Sequence, residues 1–319
     1  MKLNAYTSQK SNFDVWFYPI CFVCVMLLLH HLVGAITWPV ETANQQRDFN
    51  TALGQTLFTG FFWITIRAIH KNVGLTLLSI LHDKHALSDY QFHRKKLTEQ
   101  YTNHLIWSTS FGVVMPVIYM VNEGLIYRFH EPEVFTIAIT AIAFWLLMAT
   151  FLLQITSNTR YIITITDNRS DDLRTEYSVI QQSFTMALKN SVMAMSGIAL
   201  MPVFWINKPI PVLDFLLFNL FSGVLLVYLF WPVYKIYLRL RDLQRARLRQ
   251  ANEEIASLIK TQAVNINSTT VSRKIELLES EKEYLHHVTT SQQQSSVLWV
   301  CTLIPASWLI KIILESLLT

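Results

Sequence analysis

The chain has 319 residues, of which 52% are hydrophobic and 15% are charged, and its formal net charge is +4. Soluble globular proteins usually carry about 25% charged residues, so this chain has too few charges to cover a soluble surface of its size. The hydrophobic residues form long blocks, which excludes a disordered chain, a disulfide-stapled secreted scaffold and a nucleic-acid-binding protein as descriptions of the whole. We therefore predict an all-α integral membrane protein.

Seven apolar segments are long enough for a transmembrane helix, which needs about 20 residues to cross the hydrocarbon core. They are residues 15–38, 53–70, 105–127, 134–155, 184–206, 212–237 and 297–318. The second segment is interrupted by Arg67, His70 and Lys71, and an unpaired cation at the bilayer centre costs about 3 kcal/mol. We expect this span to end near His70. Whether residues 72–81 span, re-enter or lie at the interface stays open.

The positions of Lys and Arg predict the orientation of these spans. One alternate set of connections contains eighteen Lys and Arg residues, whereas the other contains Arg47, Arg128 and Lys208. Because Lys and Arg are enriched in cytoplasmic loops, we expect the N-terminus in the cytoplasm and the C-terminus outside. We predict that the protein lies in the inner (plasma) membrane of a bacterial-type cell.

These spans predict the following organisation of the chain. A cytoplasmic tail (1–14) precedes a six-span bundle (15–237), which has cytoplasmic loops at 82–103 and 157–182. A cytoplasmic segment (238–296) then leads to a seventh span with the C-terminus (297–319).

The cytoplasmic segment has the apolar spacing of a coiled coil. Its apolar residues recur at intervals of three and four, stop at the turn-forming residues 265–270 and then resume, as in an antiparallel helical hairpin. Two heptads per arm bury little apolar area, so we expect the hairpin to need a second copy or a membrane or cytoplasmic protein partner. The predicted interface residues are Leu248, Ala251, Ile255, Leu258, Val271, Ile275, Leu278 and Leu285.

Five arginines directly follow the sixth span. A basic helix beside the membrane attracts anionic lipid headgroups. No nucleic-acid-binding module accompanies these residues, so nucleic acid is not an expected partner. The residues predicted to contact lipid headgroups are Arg239, Arg241, Arg245, Arg247 and Arg249.

Ionisable residues inside the predicted spans are candidates for a polar pathway, because charges in the membrane are costly. Arg67 and Lys189 are expected toward the inner leaflet, and Glu123 and Asp214 toward the outer leaflet. Together they can line a water-filled route, although each long side chain can also reach the headgroups separately.

The sequence contains no pattern that identifies a reaction. His70 and His104 are the one histidine pair expected at the same depth, and the Cys21-x-x-Cys24 pattern lies in an apolar helix without a redox fold. We therefore predict no catalytic residue, no metal site and no cofactor, and interpret the chain as a non-enzyme.

The leading hypothesis is a membrane scaffold, sensor or signalling component that assembles through the hairpin as a homo-oligomer or with a protein partner. The alternative is an ion channel or small-solute transporter that uses the polar residues inside the membrane.

Overall fold

The computed structural model describes Tyr6 and residues 13–122, 124–166, 173–210, 212–264 and 271–283. This part of the chain is helical and contains no strand, which confirms the predicted all-α class. The α-helices are α1 (Phe13–Leu32), α2 (Ala43–Asp83), α3 (Tyr90–Asn122), α4 (Pro132–Thr166), α5 (Leu173–Met195), α6 (Val212–Val264) and α7 (271–283). Shorter 3₁₀ helices occupy Leu87–Asp89, Leu125–Arg128 and Ser196–Trp205.

Five helical stretches in the described residues are long and apolar enough to cross a membrane. This finding supports the prediction of a membrane protein. The seventh predicted span, residues 297–318, lies outside the described residues. The five stretches are Val15–Leu32, Leu87–Asn122, Pro132–Thr166, Leu173–Trp205 and Phe215–Lys260.

The second predicted span is part of α2, which is not among those five stretches. Residues 72–81 continue this helix without a break. With 41 residues, α2 is about 60 Å long at 1.5 Å per residue. Thr42 caps its beginning, because the Oγ1 of Thr42 accepts a hydrogen bond from the backbone N–H of Gln45 and the Gln45 side chain accepts one from the N–H of Thr42.

Helix α2 lies at the centre of the bundle and contacts α1, α4, α5 and the 196–205 segment. This position explains its composition. A helix surrounded by other helices can keep polar side chains where they find hydrogen-bonding partners, whereas a lipid-facing helix cannot. Accordingly, Asn50, Gln55 and His70 are buried beside apolar residues such as Phe62 and Ile69.

Contacts along α2 establish the directions of its neighbours. Helix α5 and the 196–205 segment run antiparallel to α2, because residues that come later in α5 meet residues that come earlier in α2. In order along α2, Phe204 lies over Gly54, Asn190 bonds Asn72, and Ser178 bonds Asp83. Helix α4 runs parallel to α2, since Gln154 bonds His70 and the Ile165 carbonyl accepts from Lys84.

Helix α3 packs antiparallel to α4, its neighbour in sequence. Gly112, late in α3, approaches Leu146 in the first half of α4. His93, near the start of α3, lies 2.8 Å from the hydroxyl of Tyr161 near the end of α4.

Helix α6 packs antiparallel to α5, because residues late in α5 meet residues that come earlier in α6. The Ser191 hydroxyl, late in α5, donates to the Leu229 carbonyl at 3.2 Å, whereas Glu176, early in α5, pairs with the later Arg239. Phenylalanine rings with centroids 5.2–6.4 Å apart fill the centre of the bundle, namely Phe58, Phe61, Phe62, Phe144, Phe151 and Phe204.

Two predicted span ends differ from the helices because of glycine turns. The first span was expected to reach Trp38, but α1 ends at Leu32, and Gly34 follows with a φ of +86°. The third was expected to reach Tyr127, but α3 ends at Asn122, and Gly124 has a φ of +64°. Positive φ values favour glycine and end a helix.

Candidate functional site

The segment 271–283 packs back on the final part of α6. Arg247 makes a bidentate ion pair with Glu281, with an Nε–Oε1 distance of 2.9 Å and an Nη2–Oε2 distance of 3.1 Å. Ala251 is completely buried and Leu278 is 6% exposed. These contacts join two segments that are 34 residues apart in sequence.

The other predicted interface residues are less completely covered. Leu248, Ile255, Leu258, Val271 and Ile275 are all half-buried, and Leu285 lies outside the described residues. Next to them, Ile259 is 53% exposed and Leu277 is 62% exposed. One copy of α6 and α7 therefore leaves part of its apolar surface uncovered.

The five predicted headgroup-contacting arginines have different environments. Arg239 donates to Glu176 at 2.9 Å, and Arg247 is committed to Glu281. Arg241 is half-buried, whereas Arg245 and Arg249 are exposed. Contact with lipid headgroups stays a prediction for this group.

Two of the four predicted pathway residues can be located. The guanidinium of Arg67 lies 5.5 Å from the ring centre of Tyr18, so it faces α1. Lys189 lines a groove between α2 and α5. The two cations are therefore on different sides of the bundle, while Glu123 and the side chain of Asp214 lie outside the described residues.

The groove that contains Lys189 has a volume of about 470 Å³ and is lined mostly by polar residues. Helix α5 contributes a polar face, because Ser178, Gln182, Thr185 and Lys189 recur at intervals of four, three and four residues. That spacing is visible in the sequence and predicts one shared face, but it lies partly outside the span expected at 184–206. At one end, the Asp83 carboxylate accepts 2.8 Å hydrogen bonds from Ser178 and Gln182.

A second polar cluster is buried between α2, α3 and α4. At its centre is Gln154, which is 1% exposed. Its Oε1 accepts from the Tyr6 hydroxyl at 2.9 Å and lies 3.0 Å from Nε2 of His70, and its Nε2 lies 2.8 Å from Nδ1 of His104. The same Tyr6 hydroxyl is 2.8 Å from Oδ1 of Asn158.

This cluster, defined by Tyr6, His70, His104, Gln154 and Asn158, attaches Tyr6 of the N-terminal tail to the bundle. The backbone carbonyl of Tyr6 also accepts a hydrogen bond from the hydroxyl of Tyr90 at 3.3 Å. The histidine pair singled out for its depth is thus brought together on one amide. No signal in the sequence indicates that a tyrosine of the tail enters this site.

Ion pairs connect the start of α2 to the turn before α4. Arg128 donates to Asp48 at 2.9 Å and to Glu131 through Nε at 2.9 Å. The hydrogen bond from Arg128 to Glu131 lowers the pKa of the Glu131 carboxyl below its usual value. These ion pairs fix the connection between α3 and α4 to the beginning of α2.

Within the described residues, no three His, Cys, Asp or Glu side chains are grouped to hold a metal ion. Comparisons with protein-family models, curated proteins and solved structures find no match for this chain. The functional proposals therefore depend on the residues and contacts described above.

Proposed function

We propose that the protein is an inner-membrane scaffold or sensor that assembles with a second copy through the hairpin of α6 and α7. The observation that carries this proposal is the continuity of α6. One helix runs from Val212, at the start of the proposed sixth span, to Val264, at the end of the first arm of the hairpin. A change in the bundle therefore reaches the hairpin without passing through a flexible linker.

The proposal includes seven spans with the N-terminus in the cytoplasm. Six of them are α1, α2, α3, α4, α5 together with the 196–205 segment, and α6, and the seventh is the apolar segment 297–318. The alternating directions of the packed helices support this topology. So does the burial of the polar residues of α2, because a central helix need not be apolar enough to face lipid.

A second copy is the preferred partner because the hairpin is incomplete alone. Leu248, Ile255, Leu258, Val271 and Ile275 are only half-buried when one copy of the two arms packs together. The exposed Ile259 and Leu277 offer apolar area that a symmetric contact would cover.

Replacing Ile259 and Leu277 with Asp is expected to abolish assembly. Both side chains are exposed in one chain, so the change leaves the packing of Ala251 and Leu278 within the hairpin intact. Buried in a symmetric contact, four carboxylates would lack partners and separate the copies. The measurement is crosslinking between copies of the full chain in membranes, through a cysteine at residue 252 with the native cysteines replaced by serine, read as the fraction of dimer.

The matched control adds the same two charges without removing apolar surface. Ser257→Asp and Ser272→Asp alter exposed positions of the two arms, each more than 100° around its helix from Ile259 or Leu277. We expect the control to crosslink as the parent does. An undiminished dimer fraction in the Ile259→Asp, Leu277→Asp variant would contradict assembly through this surface. Labelling of a cysteine at residue 267 from the outer side would contradict the proposed orientation.

A channel or transporter is the second candidate, and the Lys189 groove favours it. On the proposed topology this polar groove opens within the inner half of the membrane. Since Arg67 faces α1, the route would use Lys189 with the polar face of α5 and not the full predicted set.

Reconstituted protein is expected to pass small anions if this groove is a route, because Lys189 is the cation among its described lining residues. Lys189→Met should then reduce anion flux into vesicles by about tenfold or more, because a hydrogen bond to a charged group contributes about 1.5–3 kcal/mol. Lys274→Met, at an exposed position of α7, is the control. Impermeable vesicles that contain folded protein would eliminate this candidate.

A further inference from the structure

A basic groove lies between the C-terminal third of α4 and the middle of α6. Its volume is about 790 Å³, which is within the range of small-molecule sites. Ile180 of α5 also lines it. On the topology proposed above, on which this inference rests, the groove lies at the cytoplasmic boundary of the membrane.

Three cations line this groove, and none of its described lining residues is acidic. They are Arg160 of α4 and Lys235 and Arg239 of α6. Arg239 is paired with Glu176. Between described residues, no ion pair involves Arg160 or Lys235, and both side chains are exposed at the groove. The described lining of the groove therefore carries a net positive charge that can attract an anion.

The same groove also has an aromatic and apolar side. Tyr228 and Trp231 line it together with Val227, and the ammonium of Lys235 lies 5.6 Å from the centre of the Trp231 ring. Trp231 is 58% exposed and Val227 is 61% exposed. Tyr and Trp residues are typical of the level of lipid headgroups.

Along α6, the apolar part of the groove comes first in the chain and the basic part follows it. The apolar Val227 lies about two turns before Lys235 and about three turns before Arg239, so the cations are on the cytoplasmic side of the apolar part. A ligand that matches this order has a negative headgroup and a hydrocarbon tail. A free phosphate would use only the basic half.

We propose that this groove binds the phosphate headgroup of one anionic membrane phospholipid, with its acyl chain along Val227 and Trp231. Arg160 and Lys235 contact the phosphate from the two sides of the groove. Basic pockets between transmembrane helices on the cytoplasmic side are known to hold such headgroups. The bound lipid would bridge α4 to α6 at the point where α6 leaves the membrane.

The test compares lipid retention by the full-length protein and its variants in native mass spectrometry. Phosphatidylglycerol, phosphatidylcholine and inorganic phosphate are added separately to detergent-purified protein. We expect one phosphatidylglycerol to be retained in preference to phosphatidylcholine. Replacing Arg160 and Lys235 with Gln should weaken that retention by about 25-fold, since each cation contributes roughly a fivefold factor.

The control replaces Arg245 and Arg249 with Gln, which removes the same charge from exposed positions beyond the groove. Equal losses in both variants would overturn a specific site and indicate general attraction by the basic helix. Equal retention of the two lipids, or binding of inorganic phosphate without lipid preference, would also overturn the proposal. Should the double variant fold poorly, Lys235→Gln alone is expected to weaken retention about fivefold.

This result is separable from the proposed assembly. Lipid retention is measured for each oligomeric state, and the Ile259→Asp, Leu277→Asp variant leaves the groove unchanged. Loss of the dimer with retained lipid would support the groove and the hairpin independently. Loss of lipid preference with a normal dimer would overturn the groove alone.

Discussion

Replacing Gly112 with Val is expected to lower the melting temperature of the purified protein strongly. A Cβ at this position would lie 2.8 Å from Cβ of Leu146, and 3.1 Å from both its Cα and the Ile142 carbonyl oxygen. Two of these three atoms belong to the backbone of α4, so a rotamer change cannot relieve the contact. Overpacking of this kind typically costs about 1–3 kcal/mol, and separation of α3 from α4 adds to it.

Gly223 in α6 provides the matched control for this prediction. A Cβ there would meet no atom of the described structure within 4 Å. Gly112→Ala and Gly223→Ala have the same effect on helix propensity, which favours alanine by about 1 kcal/mol. We expect Gly112→Ala to lower the melting temperature and Gly223→Ala to leave it unchanged or raise it, by thermal unfolding in detergent. Equal shifts would contradict close packing of α3 on α4.

Replacing Gln154 with Leu is expected to destabilise the protein by about 2–4 kcal/mol, because buried groups that lose their partners each cost about 1–3 kcal/mol. The side chain bonds both His70 and His104 and accepts from Tyr6. Leucine has a similar size, so the loss reflects hydrogen bonding more than volume. Chemical unfolding followed by circular dichroism measures the change.

Gln91→Leu, at an exposed position of α3, is the control and should change the stability by less than about 0.5 kcal/mol. A second variant tests the connection to the tail. Tyr6→Phe removes only the hydroxyl that reaches Gln154 and Asn158. We expect faster hydrogen–deuterium exchange at the backbone amide of residue 6 in both Tyr6→Phe and Gln154→Leu. Unchanged exchange in both would contradict attachment of Tyr6 through this cluster.

Hydropathy alone located most of the helices, because the exposed sides of α1, α3, α4 and α6 are apolar over many turns. It was least informative for α2. Arg67, His70 and Lys71 predicted that the span ends near His70, but they gave no indication that the helix itself continues to Asp83. The burial of this helix by its neighbours removes the need for an apolar exterior, and that burial is a tertiary property.

The candidate sites show a similar division. The spacing of Ala251 and Leu278 predicted them as interface residues; both are buried within one chain, and their part in assembly stays a prediction. The spacing of polar residues along α5 likewise predicts, from the sequence, that they share one face of the helix. By contrast, Tyr6 meets Gln154 across 148 positions of sequence, and local periodicity contains no information about such a contact. The same holds for the groove of Arg160 and Lys235.

The length of α6 has a mechanical consequence. From Pro232, which lacks the N–H that would bond the carbonyl one turn earlier, to its end at Val264, the helix extends about 48 Å at 1.5 Å per residue. A stiff rod of this length that pivots by about 5° displaces its far tip by about 4 Å, most of one helical turn. Small rearrangements around the pivot are thereby amplified into a shift large enough to change which side chains face each other at the tip.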